Sequence, residues 1–190
     1  MTVVDHRETA NQMPEALEAF VLQWGDLGGK WGLNRSVSQI HALLYLAEQP
    51  MTAEEISEQL SMARSNVSNS LKELLAWKLI HRVPVRADRR EHFAAETDVW
   101  EIAALIAAGR KQREIDPALE VLQSCVSKAD ADRNISAVKR ERLQAMLEFT
   151  KTADGWYQQM LSISKPKRAL IIKMGSKIAN FLPPSKPDRL

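Results

Sequence analysis

Residues 51–95 read MTAEEISEQLSMARSNVSNSLKELLAWKLIHRVPVRADRREHFAA, and this stretch decides the fold. Thr52 is followed three residues later by Glu55, the spacing of a capping box, so a helix is predicted to begin there. After Ser61 the apolar residues restart the helical period in a new phase, which continues to about Trp77. The pattern therefore predicts two short helices joined by a tight turn.

A β-hairpin is predicted directly after these helices. Ile80, Val83 and Val85 favour a strand, residues 86–90 are polar and turn-like, and residues 92–95 can return as the partner strand. A helix pair of this kind, followed by a hairpin, is typical of a winged helix-turn-helix, a motif that reads double-stranded DNA.

The charges are distributed unevenly along the chain. Residues 61–90 carry seven basic and two acidic side chains, whereas residues 1–60 carry three and nine, although the net charge is only +2. A basic block confined to the second motif helix and its hairpin suits binding to DNA phosphates. Residues 165–190 are basic as well, which indicates a solvated helix face more than contact with a membrane or with flanking DNA.

One face of the second motif helix is rich in hydroxyl and amide side chains. Such groups can approach base edges in the major groove, while the arginines of the hairpin can reach phosphates or a narrow minor groove. The alternative is a solvated helix face and turn, but serine and asparagine are mediocre helix formers that a purely structural surface would seldom gather. The predicted DNA contacts are Thr52, Arg64, Ser65, Asn66, Ser68, Asn69, Lys72, Arg86, Arg89 and Arg90.

Amphipathic helices are predicted on both sides of the motif, so the fold class is mainly α with a small β-hairpin wing. Two helices precede the motif, the first ended by glycines after Leu27 and the second capped by Ser36. Four features follow the motif: a helix capped by Asp98, a new start or kink at Asp116, a long helix around residues 143–160 and a basic helix opened by Pro166. The predicted organisation is a flexible N-terminus (1–13), the N-terminal helices with the winged motif (14–97), a helical dimerisation and effector region (98–182) and a flexible tail (183–190).

Composition argues against several classes of protein. The chain is 45% hydrophobic and 26% charged, ordinary globular values, and no apolar run approaches the length of a membrane span. The N-terminus lacks the apolar core of a secretory signal, so a cytoplasmic protein is expected. A single cysteine, Cys125, excludes an internal disulfide, and a buried position is expected for it. The histidines form no metal-binding pattern and no glycine-rich phosphate loop follows a strand, so neither an enzyme nor a cofactor is predicted.

Several motifs between about Trp24 and Cys125 carry a resemblance to a known family: WGLNR at 31–35, AEEI at 53–56, SNVSNSLKEL at 65–74, DRR at 88–90, and Phe93 with DVW at 98–100. In these motifs the chain resembles the GbsR branch of the MarR-type transcriptional regulators. The resemblance implies a dimeric winged-helix repressor or activator, with residues 63–77 in the major groove and the turn 86–90 beside the DNA backbone.

The chain departs from that family pattern at two positions. The family commonly has glycine in the turn where this chain has Ser61, and serine at the helix start where it has Ala63. A lost serine cap costs about 1 kcal/mol unless another side chain replaces it. Ser61 and Ser65 are the candidates for that replacement.

A homodimer on a palindromic operator is expected, because paired recognition helices can meet successive major grooves about 34 Å apart. Apolar stripes over residues 143–160 and 170–181 are more than one small winged domain can cover. The alternative is a self-contained helical subdomain in a monomer.

A small-molecule effector is a further hypothesis, since the chain contains five tryptophans. Aromatic rings can surround a quaternary ammonium ligand through cation–π attraction, although most tryptophans at helical spacing pack in a core. The candidate cage residues are Trp24, Trp31, Trp100, Trp156 and Tyr157. The rival to a DNA-binding regulator is a helical protein–protein adaptor that uses the winged domain as a scaffold.

Overall fold

The computed structural model describes residues 13–30 and 32–178. The predicted flexible segments 1–13 and 183–190 lie, apart from Met13, outside the described residues, as does Trp31. The elements in chain order are α1 (Glu15–Lys30), α2 (Arg35–Leu46), β1 (Met51–Thr52), α3 (Ala53–Gln59), α4 (Arg64–Ala76), β2 (Ile80–Val83), β3 (His92–Ala95), α5 (Val99–Arg110), a π-helical segment (Lys111–Ile115), α6 (Asp116–Ala131), α7 (Ala137–Ser162) and α8 (Lys165–Ile178).

The chain divides into two compact units, the first ending at Ile106 and the second beginning at Ala107. This division falls inside α5 and not at its start, where the sequence had suggested a boundary. Asp98 caps α5 as predicted, since its Oδ1 accepts the backbone N–H groups of Trp100 and Glu101 at 2.9 and 3.2 Å.

The first unit packs α2, α3 and α4 against a small antiparallel sheet with strand order β1-β3-β2. In its core, Ile40 of α2, Ile56 of α3 and Val67 of α4 are completely buried together with Phe93 of β3. The hairpin predicted from the sequence is present as β2 and β3. The third strand, β1, was missed because two residues are too few to show an alternating pattern.

Helix α1 continues past its predicted end at Leu27 and runs to Lys30. Gly28 is buried inside the helix, and a Cβ atom placed on it would lie 2.6 Å from the Cβ of Ser38 in α2. Here glycine permits the close approach of two helices instead of ending one. The cap of α2 also differs from the prediction, because the side chain of Asn34, and not Ser36, accepts the N-terminal backbone N–H.

The joint between α3 and α4 is a tight turn centred on Ser61, which adopts a left-handed backbone with φ of +49°. The backbone N–H of Met62 donates to the carbonyl of Ser57 at 3.0 Å, and that of Ser61 donates to Glu58 at 3.3 Å. This hydrogen-bonding pattern closes α3 in the conformation that glycine adopts most easily. At the start of α4, Ala63 is the N-cap residue and no side chain of the described residues caps this helix, so neither Ser61 nor Ser65 replaces the missing serine.

The second unit is helical, with α6 packed against α7. The Nζ of Lys111 lies 2.9 Å from a carboxylate oxygen of the buried Asp154 and also pairs with Asp116. Asp116 is already helical and does not cap α6, because the π-helical segment leads directly into that helix. Cys125, expected to be buried, is exposed.

No helix in the described ranges combines the length and apolarity that crossing a membrane would require.

Candidate nucleic-acid interface

Helix α4 has one buried and one exposed face. Val67, Leu71 and Leu74 are buried, which fixes the rotation of the helix on the core. The opposite face carries hydroxyl, amide and basic groups in solvent, as the helical spacing predicts. Its exposed members are Arg64, Ser65, Ser68, Asn69 and Lys72. We refer to this set as the α4 polar face.

Asn66, also predicted to contact DNA, is only partly exposed. Its amide Nδ2 donates to the Oγ of Ser36 at 2.9 Å, which ties α4 to the first turn of α2. The side chain therefore has a hydrogen-bond partner inside the protein.

Thr52, predicted among the DNA contacts, is the buried N-cap residue of α3. Its side chain is 2% exposed and its Oγ1 accepts the backbone N–H of Glu55, while a Glu55 carboxylate oxygen accepts the backbone N–H of Thr52 at 2.7 Å. That backbone hydrogen bond is the main reason why the pKa of Glu55 is lowered. The capping box is confirmed, and burial of Thr52 corrects its assignment as a DNA contact.

The wing is the turn between β2 and β3, where Ala87 has φ of +66°. Asp88 holds this turn together: it accepts the backbone N–H of Arg90 at 2.9 Å and the Arg90 guanidinium through Nε at 3.0 Å and Nη2 at 2.6 Å. These hydrogen bonds to Arg90 lower the pKa of the Asp88 carboxyl to about 2. The buried His92 lies next to the pair, with its Nε2 at 3.5 Å from Asp88 Oδ2.

The basic side chains near α4 and the wing fall into two groups. Three arginines are paired with carboxylates: Arg64 with Glu54, Arg82 with Glu91 at 2.6 Å, and Arg90 with Asp88. By contrast, Lys72, Lys78, Arg86 and Arg89 are exposed and make no ion pair with any residue in the part of the chain that the structure describes.

An open groove of about 450 Å³ lies between α3, α4 and the sheet. Arg64, Ser68 and Lys72 of the α4 polar face line one side, and Arg90 lines the sheet side. Sequence reasoning missed Arg82 and Glu54, which also line it, because neither belongs to the polar helix face or to the hairpin tip. Only the pairing of β2 with β3 and the packing of α3 against α4 bring them to the groove.

The predicted aromatic cage is divided between the two units. In the first unit, Trp24 stacks on Phe20 with ring centroids 5.7 Å apart, and Trp100 is half-buried on α5. In the second unit, Trp156 and Tyr157 meet edge to face at 6.5 Å.

A separate apolar cavity lies within the first unit. Trp24, Trp77 and His41 contribute to its lining. His41 is 4% exposed, its Nε2 has no hydrogen-bond partner among the described residues, and burial lowers its pKa to about 4, so the ring is neutral at physiological pH. The sequence signal for this residue was a histidine inside the apolar helix α2, a pattern that matches no metal-binding spacing.

Comparisons with known proteins agree with this geometry. The MarR family model matches residues 31–91. The chain is 27% identical over 139 residues to the HTH-type transcriptional repressor GbsR of Bacillus subtilis (strain 168), an alignment that covers 68% of this chain and 75% of the relative. A crystal structure of a transcriptional regulator shares the fold with a TM-score of 0.53 at 20% identity, covering 77% of this chain and 95% of that one. The resemblance to MarR-type regulators read from the sequence is thus confirmed over residues 31–91, which match the MarR family model.

Proposed function

We propose that this protein is a sequence-specific double-stranded DNA-binding transcriptional regulator, acting as a homodimeric repressor. The observation that carries the proposal is the α4 polar face, which lies beside a wing whose Arg86 and Arg89 are exposed and unpaired within the described residues. The name of the Bacillus subtilis relative, a transcriptional repressor, supports the direction of regulation.

Two kinds of contact are assigned to this surface. Ser65, Ser68 and Asn69 are short enough to approach base edges when α4 lies in a major groove. Lys72, Arg86 and Arg89 supply phosphate contacts, which position the protein without reading sequence.

The proposal is tested by selecting bound duplexes from a random pool and measuring affinity against salt concentration. A two-fold symmetric motif is expected. Arg89→Ala should weaken binding to all duplexes alike and reduce the salt slope by about one. Asn69→Ala should change the preferred sequence. Duplex binding that is insensitive to salt and to both substitutions would contradict the proposed docking and favour the protein–protein adaptor.

Dimerisation is supported by an apolar stripe along α7. Met146, Phe149 and Trp156 recur on one side of that helix, and the latter two are 72% and 62% exposed. Large exposed apolar side chains at helical spacing are typical of a helix that packs on a partner. A second copy of the chain is the partner that a two-fold operator requires.

Sedimentation equilibrium tests the dimer. Phe149→Glu should raise the dimer dissociation constant at least tenfold, because it places a charge in an apolar contact. Gln159→Glu is the matched control, since it adds the same charge at an exposed polar position of α7. A wild-type chain that is monomeric at micromolar concentration would rule out the dimer.

Effector control completes the proposal. Trp24 and Trp77 give the cavity of the first unit, about 40 Å³ in volume, an aromatic wall, and cation–π attraction to such rings is the interaction that would hold a small cationic molecule. Titration with a choline-like quaternary ammonium compound should change both tryptophan fluorescence and operator affinity. An unchanged signal in both measurements would remove effector control by this class of compound.

A further inference from the structure

Arg64 and Glu54 form an ion pair across the joint between α3 and α4. The Arg64 guanidinium donates through Nη2 to Glu54 Oε1, and the two side chains are 77% and 45% exposed. Both line the groove next to Ser68 and Lys72. The pair therefore lies on the surface assigned to DNA and is accessible from solvent.

The pair stands at a helix start that lacks other electrostatic support. Arg64 is the first residue of α4, Ala63 provides no side-chain cap, and the first turn contains no acidic residue. A positive side chain at a helix N-terminus opposes the helix dipole, whereas a carboxylate there is favourable. Glu54, reaching over from α3, supplies the negative charge that both Arg64 and this helix end favour.

DNA would offer Arg64 the same kind of acceptor that Glu54 already provides. A phosphate or a guanine edge binds the guanidinium through charge-assisted hydrogen bonds like those to a carboxylate. Lys72 and Arg89 can bind phosphates without losing a protein partner, whereas Arg64 must first leave Glu54. A Glu54 carboxylate left unpaired next to phosphates would also oppose binding.

We propose that Glu54 is an affinity-setting residue that competes with DNA for the guanidinium of Arg64. The inference rests on the proposed function, because it assumes that the α4 polar face binds duplex DNA. Glu54 weakens every complex in which Arg64 binds DNA, and it thereby lowers the affinity of the protein for duplex DNA.

The test is a double-mutant cycle at a selected duplex, made with Glu54→Gln and Arg64→Gln in the full chain. Glu54→Gln should strengthen binding roughly two- to fivefold, the range that an exposed ion pair allows. It should also steepen the salt slope by about one, since Arg64 becomes available to a phosphate without leaving an unpaired carboxylate. In the Arg64→Gln background, the gain in duplex affinity from Glu54→Gln should fall to the gain that the control substitution Glu58→Gln produces.

The control is Glu58→Gln, which removes the same charge from an exposed position of α3 that has no ion pair within the described residues. Circular dichroism checks that each variant is folded. An equal gain from Glu54→Gln with and without Arg64, or a gain no larger than that of Glu58→Gln, would overturn the proposal. Absence of duplex binding by the wild type would instead overturn the proposed function, and this inference with it.

Discussion

The carboxylate of Asp88 binds the guanidinium of Arg90 through both Nε and Nη2, and it also accepts the backbone N–H of the same residue. The Asp88 carboxylate thus fixes both the side chain of Arg90 and the backbone of the wing turn. Since the remaining guanidinium N–H groups stay available, Asp88 positions Arg90 in the wing without consuming all its donors.

Because the pKa of Asp88 is lowered, we expect the wing pair to respond to acid far below neutral pH. A folded-state pKa of about 2 against an ordinary 3.8 means that the pair contributes fully above about pH 4 and is lost as the pH falls toward 2. Carboxyl ¹³C NMR should give a midpoint near pH 2 in the wild type. Arg90→Ala should raise that midpoint toward the ordinary value, whereas Arg89→Ala should leave it in place; an unchanged midpoint in Arg90→Ala would contradict the pairing.

His41 should make the fold sensitive to mild acid. Its folded-state pKa of about 4 lies below the ordinary 6.5, so the unfolded chain takes up a proton first and stability falls as the pH drops from about 6.5 to 4. The expected loss is about 3 kcal/mol over that interval. Denaturant unfolding of the wild type and of His41→Leu at a series of pH values measures it. Between pH 6.5 and pH 4, the free energy of unfolding of His41→Leu should fall by about 3 kcal/mol less than that of the wild type. Equal losses in both proteins would assign the acid sensitivity to other groups.

Adjacent glycines in α1 should respond to alanine in opposite directions. Gly28→Ala should destabilise the protein by about 1–3 kcal/mol, because the new methyl group overlaps the side chain of Ser38. No atom of the residues that the structure describes lies within 4 Å of a Cβ placed on Gly29, so Gly29→Ala should stabilise the helix by about 0.5–1 kcal/mol. Thermal unfolding measures both. Destabilisation of equal size at the two positions would contradict the close packing of α1 on α2.

Ser61→Gly should stabilise the turn between α3 and α4. The left-handed backbone at Ser61 costs a residue with a side chain about 1–2 kcal/mol of stability. Glycine avoids this cost, but its greater conformational freedom in the unfolded chain offsets part of the gain. A net gain of about 0.5–1 kcal/mol is expected. Ser68→Gly, in the regular helix α4, should lower the free energy of unfolding instead. A loss at both positions would mean that Ser61 is not strained.

Ala63→Ser should supply the missing cap of α4. A serine hydroxyl at this N-cap position can accept a backbone N–H of the first turn, which is worth about 1 kcal/mol. Urea unfolding should show the gain for serine and none for Ala63→Val. If serine gave no gain, another group would already bind the first backbone N–H groups of α4, and Glu54 would be the first candidate to test.

The order of elements in the winged motif could be read from the sequence because it depends on local rules. The capping box at Thr52 and the period-2 residues of the wing are short-range patterns, and the new helical phase after Ser61 placed α4 correctly. The departures at Ser61 and Ala63 were also visible. Their consequence was not, because the left-handed backbone of Ser61 and the missing side-chain cap of α4 were found only in the structure.

The tertiary structure decided which side chains have partners. Thr52 is buried, Asn66 is bonded to Ser36, and Glu54 holds Arg64, none of which a one-dimensional pattern can show because each depends on residues from other elements. Helical periodicity determines which face of α4 turns outward. Packing alone determines which of the outward groups remain unpaired, and those groups set the electrostatics of the surface proposed to bind DNA.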